Sequence, residues 1–293
     1  MSIRVNWTNP NTIFNEIRLY RTAVPVDYTN IPETPLVTLT TETTYLDTTA
    51  KQETYYYYTV AVIKDGEVVL APSQLAYQLV DAGPGPTELV CGDMKRGYFG
   101  IVGASLLFTT LELVTLLGMS GVGIAGTEAH WCKYILDGRI IYYPQADIRR
   151  TIGWNQIYAL GLTFGIDGTG PGDLGIPAVN QYRIVSKGND DFIVRLPRCA
   201  THGSPYAIPA AGWVGGSEAQ LVMVATYVGG SNPTGWLGPT LAALSSTTTL
   251  DVWCQEYTGT IAASPRAMTL WNATSRTAAP GGFAYRPILE LVK

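Results

Sequence analysis

The sequence predicts a mainly β protein in two parts, a small β-sandwich followed by a larger β-rich α+β domain. Three observations carry this. The 31 glycines and 18 prolines are spread through the 293 residues, as many short strands joined by turns require. The run Thr54–Ile63 is almost wholly β-branched and aromatic, which suits a pleated, packed surface. Asp81-Ala82-Gly83-Pro84-Gly85-Pro86 can continue neither a strand nor a helix, so it is read as a linker, residues 81–86, between domains at 1–80 and 87–293.

Within residues 1–80 the elements follow in order. Val5-Asn6-Trp7-Thr8 precedes a turn at Asn9-Pro10-Asn11, and Glu16–Arg21 alternates as a strand does. Pro25, Pro32 and Pro35 mark loops, Leu36–Leu39 reads as a strand, and Tyr45-Leu46-Asp47 as a corner. Thr54–Ile63 turns at Asp65-Gly66 into Glu67–Leu70, and Ala71-Pro72-Ser73 closes the unit. An early Trp, a Tyr-x-Asp before a Tyr-rich strand and a final turn into Pro-Ser resemble a fibronectin type III domain. That resemblance implies that Trp7 is a core residue between two sheets and that the unit is a spacer or docking module. The early position of Trp7 implies a truncated first strand, whose open edge a neighbouring subunit could cover.

Residues 98–126 hold a single charge, Glu112. The apolar core of this stretch, Leu106–Met119, is shorter than the ~20 residues that a bilayer requires. Leu106, Leu107, Thr110, Leu111, Val114, Leu117 and Gly118 follow a helical period with Glu112 and Thr115 off the stripe, which predicts a buried helix and no membrane insertion.

Residues 131–165 are the centre of the larger domain. Asp137-Gly138 between two aromatic-rich runs, Trp131–Leu136 and Arg139–Pro144, predicts a tight hairpin. Ile148, Ile152 and Ile157, with Trp154 and Tyr158 at i, i+4, predict a short helix packed on it. Further on, Tyr182–Val185 and Phe192–Leu196 form a second expected hairpin, and strands are expected at Leu250–Glu256, Ala267–Trp271 and Tyr285–Val292.

The order Trp131, Asp137-Gly138-Arg139, Ile140-x-Tyr142-x-Pro144, Ile148-Arg149 and Ile152-Gly153-Trp154-Asn155-x-Ile157-Tyr158 resembles a group of tailed-bacteriophage virion proteins. Asp191–Pro197, Trp253-Cys254-Gln255-Glu256 and Tyr285–Val292 fit the same group, so the resemblance covers residues 90–293. Where the family commonly has Gly-Ser-Glu-Trp-Asn, this chain has Gly216-Ser217-Glu218-Ala219-Gln220. The resemblance implies a virion component assembled in a host cytoplasm, either a tail-associated appendage or fibre protein or a capsid decoration protein. Its expected partners are other virion proteins, copies of itself and a host-surface glycan. A glycan-degrading tail enzyme is the remaining alternative.

Composition narrows the chemistry. A formal net charge of −4 and a pI near 5.2 argue against nucleic-acid binding, which needs a surplus of Lys and Arg; a local basic pair such as Arg149-Arg150 is too small for an electrostatic footprint. The N-terminus has no charged region followed by an apolar one, so no secretory signal is expected. Cys91, Cys132, Cys199 and Cys254 form no C-x-x-C pair; buried thiols are expected, and any later pairing has three possible connectivities. His130 next to Cys132, and Cys199-x-x-His202, are isolated pairs without a third partner. Asp167–Asp173 lacks the ligand spacing of a calcium loop and reads as a solvated turn. Glu218, Glu256, Asp173 and Asp190-Asp191 are scattered in sequence. No catalytic residue, metal or cofactor is therefore expected.

The C-terminal pattern Trp253–Glu256, Arg266, Trp271, Arg276 and Gly281–Arg286 is similar to C-type-lectin-like folds, which carry an irregular ligand loop before a final buried strand. That similarity marks the loop from Trp271 to Gly282, with Trp271, Asn272 and Arg276, as a candidate contact surface. The alternative is that Trp271 is core and the loop a connection.

Overall fold

The computed structural model describes residues 3–119, 130–170, 174–200, 206–208, 217–219, 222, 251–263, 273–277 and 283–292. The chain divides into two compact units, 1–82 with 93–95, and 83–92 with 96–293. Both are built from antiparallel sheets; one pairing among the described strands is parallel.

The first unit has seven strands: β1 (Ile3–Asn6), β2 (Glu16–Thr22), β3 (Val37–Leu39), β4 (Thr44–Asp47), β5 (Tyr56–Lys64), β6 (Glu67–Leu70) and β7 (Gln74–Ala76). β1 pairs with β4, while β3, β2, β5 and β6 form a second sheet in that order and β7 adds to β5. Alternation fixes what each strand buries. Ile17, Leu19, Tyr58 and Val60 join Val5 and Trp7 in one cluster, and Tyr20, Ala61 and Ile63 form another with Ile31, Val68 and Leu70. Each large side chain taken out of water contributes about 1.5–3 kcal/mol.

Tyr45-Leu46-Asp47, expected as a corner, is strand β4, and the corner is made by the Asp47 side chain just after it. One carboxylate oxygen accepts the Thr49 amide at 2.8 Å and its hydroxyl at 2.7 Å. The other accepts Tyr58 Oη and Arg21 Nη1, both at 2.7 Å. Burial works to raise this carboxyl, but the Tyr58, Thr49 and Arg21 donors hold it below its ordinary value.

The second unit continues with β8 (Cys91–Gly92), β9 (Arg96–Val102), α1 (Thr110–Leu116), β10 (Trp131–Leu136), β11 (Arg139–Pro144), β12 (Arg149–Arg150) and α2 (Trp154–Ala159). There follow β13 (Arg183–Lys187), β14 (Asp190–Arg195), β15 (Asp251–Val252), β16 (Tyr257–Thr258), β17 (Ile261–Ala263), β18 (Ala273–Ser275), β19 (Phe283–Tyr285) and β20 (Ile288–Leu291). A seven-stranded sheet runs β13-β14-β20-β11-β10-β9-β8, so the last strand of the chain inserts between two earlier hairpins. Two three-stranded sheets, β12-β19-β15 and β16-β17-β18, complete the unit.

The expected Asp137-Gly138 hairpin joins β10 to β11, with φ of 47° and 79° at the two turn residues, the positive pair that a two-residue turn needs. Every residue of β10 is buried, because both faces of the sheet are covered. On one face lie Cys132, Tyr134, Leu136, Ile141 and Tyr143, packed with Cys199, Ala219, Val222, Val252 and Cys254. On the other, Trp131 Nε1 donates to Phe108 O at 2.8 Å, Lys133 Nζ to Pro86 O at 2.7 Å and Tyr142 Oη to Pro84 O at 3.0 Å. The Gly83–Pro86 stretch is thus packed into the second unit instead of standing free as a linker. Gly83, at φ +62°, lies so close that a Cβ there would meet Tyr142 Oη at 2.5 Å.

The helical expectations are met in part. The helix expected from residue 147 begins at Trp154; Arg149 and Arg150 instead pair as a strand with Tyr285 and Ala284. Trp154 and Tyr158 do stack, with ring centroids 5.9 Å apart. The 106–118 helix is only α1, started by a capping box between Thr109 and Glu112. Its buried residues are Thr110, Leu113 and Val114, whereas Leu106 and Leu111, expected inside, are 61% and 63% exposed. Leu107, Thr110, Val114 and Leu117 of the expected stripe are buried, and Leu113 joins them in place of Leu111. Among the described residues no helix is long and apolar enough to cross a membrane. The expected strand 267–271 lies outside the described residues.

Candidate functional site

The second unit's most unusual chemistry is a set of charges closed inside it. Cross-strand register puts Ile141, Ile193 and Glu290 side by side, with Arg195 opposite Ile288. Period-2 alternation then brings Arg139, Arg195 and Glu290 to the same face of the sheet. Arg195 reaches Glu290 Oε2 at 2.5 Å and holds both oxygens of Glu218, at 2.6 and 2.7 Å. Arg139 Nη1 lies 3.3 Å from Glu290 and 3.7 Å from Glu218. Glu218 also accepts the Arg198 amide at 3.1 Å. Burial alone would raise the Glu218 carboxyl; the charge and hydrogen bonds of Arg195, with Arg139 and the Arg198 amide, bring it down to about 2.

Next to this lies a second pair. Glu256 accepts the Cys199 and Ala200 amides at 2.9 and 3.0 Å and faces Arg198 Nε at 3.4 Å. Here burial prevails over those donors, and the carboxyl is raised. A third cluster joins Arg286 Nε to Asp147 at 2.7 Å and Asp147 to Arg150 at 2.9 Å.

Two glutamates with oppositely shifted carboxyls, both in contact with Arg198, are the kind of pair that acid–base catalysis uses. Their surroundings argue for another role. Glu218 is 4% exposed and Glu256 is fully buried, and each carboxylate is taken up by arginine and backbone amides. These groups tie remote segments together. Among the described residues, no three His, Cys, Asp or Glu side chains gather as a metal site would need. His130 is exposed at the start of β10, and His202 lies outside the described residues.

The candidate contact residues fare differently. Trp271 and Asn272 lie outside the described residues. Arg276 is 6% exposed and turns inward: its guanidinium lies 5.4 Å from the Trp154 ring centroid and 5.6 Å from that of Tyr257, with Nη2 donating to Leu174 O at 2.8 Å. Nε and Nη1 have no hydrogen-bond partner. Among the described residues this cation meets aromatic faces and no carboxylate, as a packing residue of the α2–β16–β18 region does.

The sequence gives no pairing for Arg139, Arg195, Arg198, Glu218 or Glu290. The available signal is a charge at an inward position of an apolar strand, as in Phe192-Ile193-Val194-Arg195-Leu196 and Ile288-Leu289-Glu290-Leu291. A charge so placed must find a counter-charge.

One open cleft, of about 430 Å3, lies between α1 and β13. Phe108, Leu111 and Leu116 line it together with Thr115, Ser186 and the ion pair of Lys187 Nζ with Glu112 at 2.9 Å. Leu111 and Leu116 are 63% and 45% exposed, and β13 is an edge strand, paired only with β14. Compared with protein-family models, with curated proteins and with solved structures, the chain shows no significant match.

Proposed function

We propose that the chain is a non-enzymatic structural component of a phage virion, a tail-associated appendage or fibre protein that takes part in assembly and in host-surface contact. The observation that carries this reading is where the charged residues of the resembling motifs go. Arg139, Arg195, Glu256, and Arg286 with Glu290 each come from one of those stretches, and each pairs with another charge in the second unit. Such motifs specify a scaffold. The glutamates that a glycan-degrading enzyme would need are used in the same way, turned inward and paired.

The first unit suits a spacer or docking module. Pairing of β1 with β4 in one sheet, and of β3, β2 and β5 in the other, supports the fibronectin type III-like reading. Trp7, 9% exposed in the cluster between Val5 and Ile17, fits the core role that this reading gives it.

Electron microscopy of particles labelled with antibodies against the purified chain tests the proposal. Label on the tail or its fibres is the expected result. Label over the capsid would replace the appendage with a decoration protein, and purified particles that lack the chain would refute the reading.

A further inference from the structure

All four cysteines, far apart in sequence, gather on one buried cluster of the second unit: Cys132, Cys199 and Cys254 lie within it and Cys91 packs against it. One pair is brought together by the backbone around it. The chain before Cys199 and the chain after Cys254 run side by side, with the Gln255 amide donating to Pro197 O at 3.0 Å and the Cys199 amide to Glu256 Oε2 at 2.9 Å. Cys199 and Cys254 are both fully buried in this one cluster. Cys132 instead accepts from the Gln145 side-chain amide at 3.8 Å. Cys91 is separated from it by β9, which lies between β8 and β10. Two strand spacings put the Cα atoms of Cys91 and Cys132 about 10 Å apart, beyond the ~7 Å at which a disulfide closes.

We propose that Cys199 and Cys254 form a disulfide when the protein meets an oxidising medium, locking the residues after β14 to those around β15. With oxidised glutathione as the oxidant, one cysteine thiolate attacks the glutathione disulfide and expels a glutathione thiolate. The second thiolate attacks the mixed disulfide and expels the other. The pair loses two electrons and two protons, and two reduced glutathiones carry them away. Both thiols are fully buried, and burial raises both above the ordinary thiol range, so exchange proceeds through local opening and is slow. A slow reaction of this kind leaves thiols free in a reducing cytoplasm and cross-links them after prolonged exposure outside it. The inference concerns the second unit's chemistry and stands whether or not the virion reading does.

The test uses the wild-type chain. Reduced, folded protein is held at mildly alkaline pH in oxidised glutathione with sub-denaturing urea, which raises the open fraction; remaining thiols are then alkylated. Trypsin alone leaves 199–266 as one peptide, and cleavage after Glu218 and Glu256 separates 199–218 from 219–256. The expected result is that these two peptides are joined and that the protein melts several degrees higher, an increase that a reductant reverses. Half-exposed Cys91 serves as the internal control. If Cys91 is fully glutathionylated while Cys199 and Cys254 stay free or carry separate glutathiones, the proposal falls. It falls equally if Cys132 takes either partner, or if the joined protein melts lower.

Discussion

The two units solve the same problem, joining strands that are remote in sequence, with different means. In the first, β2 and β5 carry apolar alternation, and the one charge fully buried among its described residues is Asp47. In the second, Arg195, Arg198, Glu218, Glu256, Asp147 and Arg286 are all nearly or fully inaccessible and pair with one another across separations of up to 139 residues. The difference teaches what buried charge is good for. Apolar contacts reward any close packing, whereas a buried ion pair tolerates only one register, because a misplaced charge goes unpaired. A unit whose last strand inserts between two earlier hairpins has more wrong registers to exclude.

Removing one partner should break the second unit first. Arg195→Met leaves Glu218 and Glu290 buried against fewer cations, with an expected loss of about 3–5 kcal/mol, measured by urea unfolding. Hydrogen exchange sharpens the comparison: protection should fall in β10, β11 and β20 and persist in β5. Equal loss in both units would mean that they unfold together and that the contrast is only one of composition.

Acid should act next. The Glu218 carboxyl is held at about 2 in the folded state, against ~4.3 in an unfolded chain. A depressed carboxyl gives stability that is present above the unfolded value and lost as pH falls through the folded one. The second unit should therefore weaken from about pH 4.3 down to about 2 by roughly 3 kcal/mol, and Glu218→Gln should remove that slope. The Asp47 carboxyl is also depressed, so the first unit weakens in the same direction. Asp47→Ala should cost about 1–3 kcal/mol by stranding Tyr58 Oη and the Thr49 amide, with lost exchange protection confined to β4 and β5.

The smallest effect is expected where a buried cation meets no anion among the described residues. Arg276 rests on the rings of Trp154 and Tyr257, so Arg276→Met should change stability by less than about 1.5 kcal/mol. A loss as large as that of Arg195→Met would show that an anionic partner had been overlooked.

The same contrast sets what could be read in the sequence. Strands β2, β5 and β6, and the hairpins at Asp65-Gly66 and Asp137-Gly138, follow from local alternation and turn chemistry, and each is present. Helix α1 was visible as apolar periodicity, and Thr110 and Val114 of that stripe are buried, but Leu113 rather than Leu111 completes its inward face. The strand at Arg149-Arg150 exists only because Tyr285 and Ala284 arrive beside it, and no local pattern announces that. The ionic cluster was legible only as charges inside apolar strands; that Glu218 would meet Arg195 depends on the tertiary fold. Arg276 shows the reverse: a polar residue in a glycine-flanked loop suggests an outward contact, yet two aromatic faces draw it in.

A double-mutant cycle on Arg195 and Glu218 bears most directly on whether the second unit's motif charges form a scaffold. Arg195→Met and Glu218→Gln, separately and together, would be compared by urea unfolding. If the pair is a structural clamp, each single change costs several kcal/mol and the double variant recovers a large part of the combined loss, since Arg139 and Glu290 remain paired at 3.3 Å. Strictly additive losses, or single variants as stable as the wild type, would contradict the clamp and free these residues for another role.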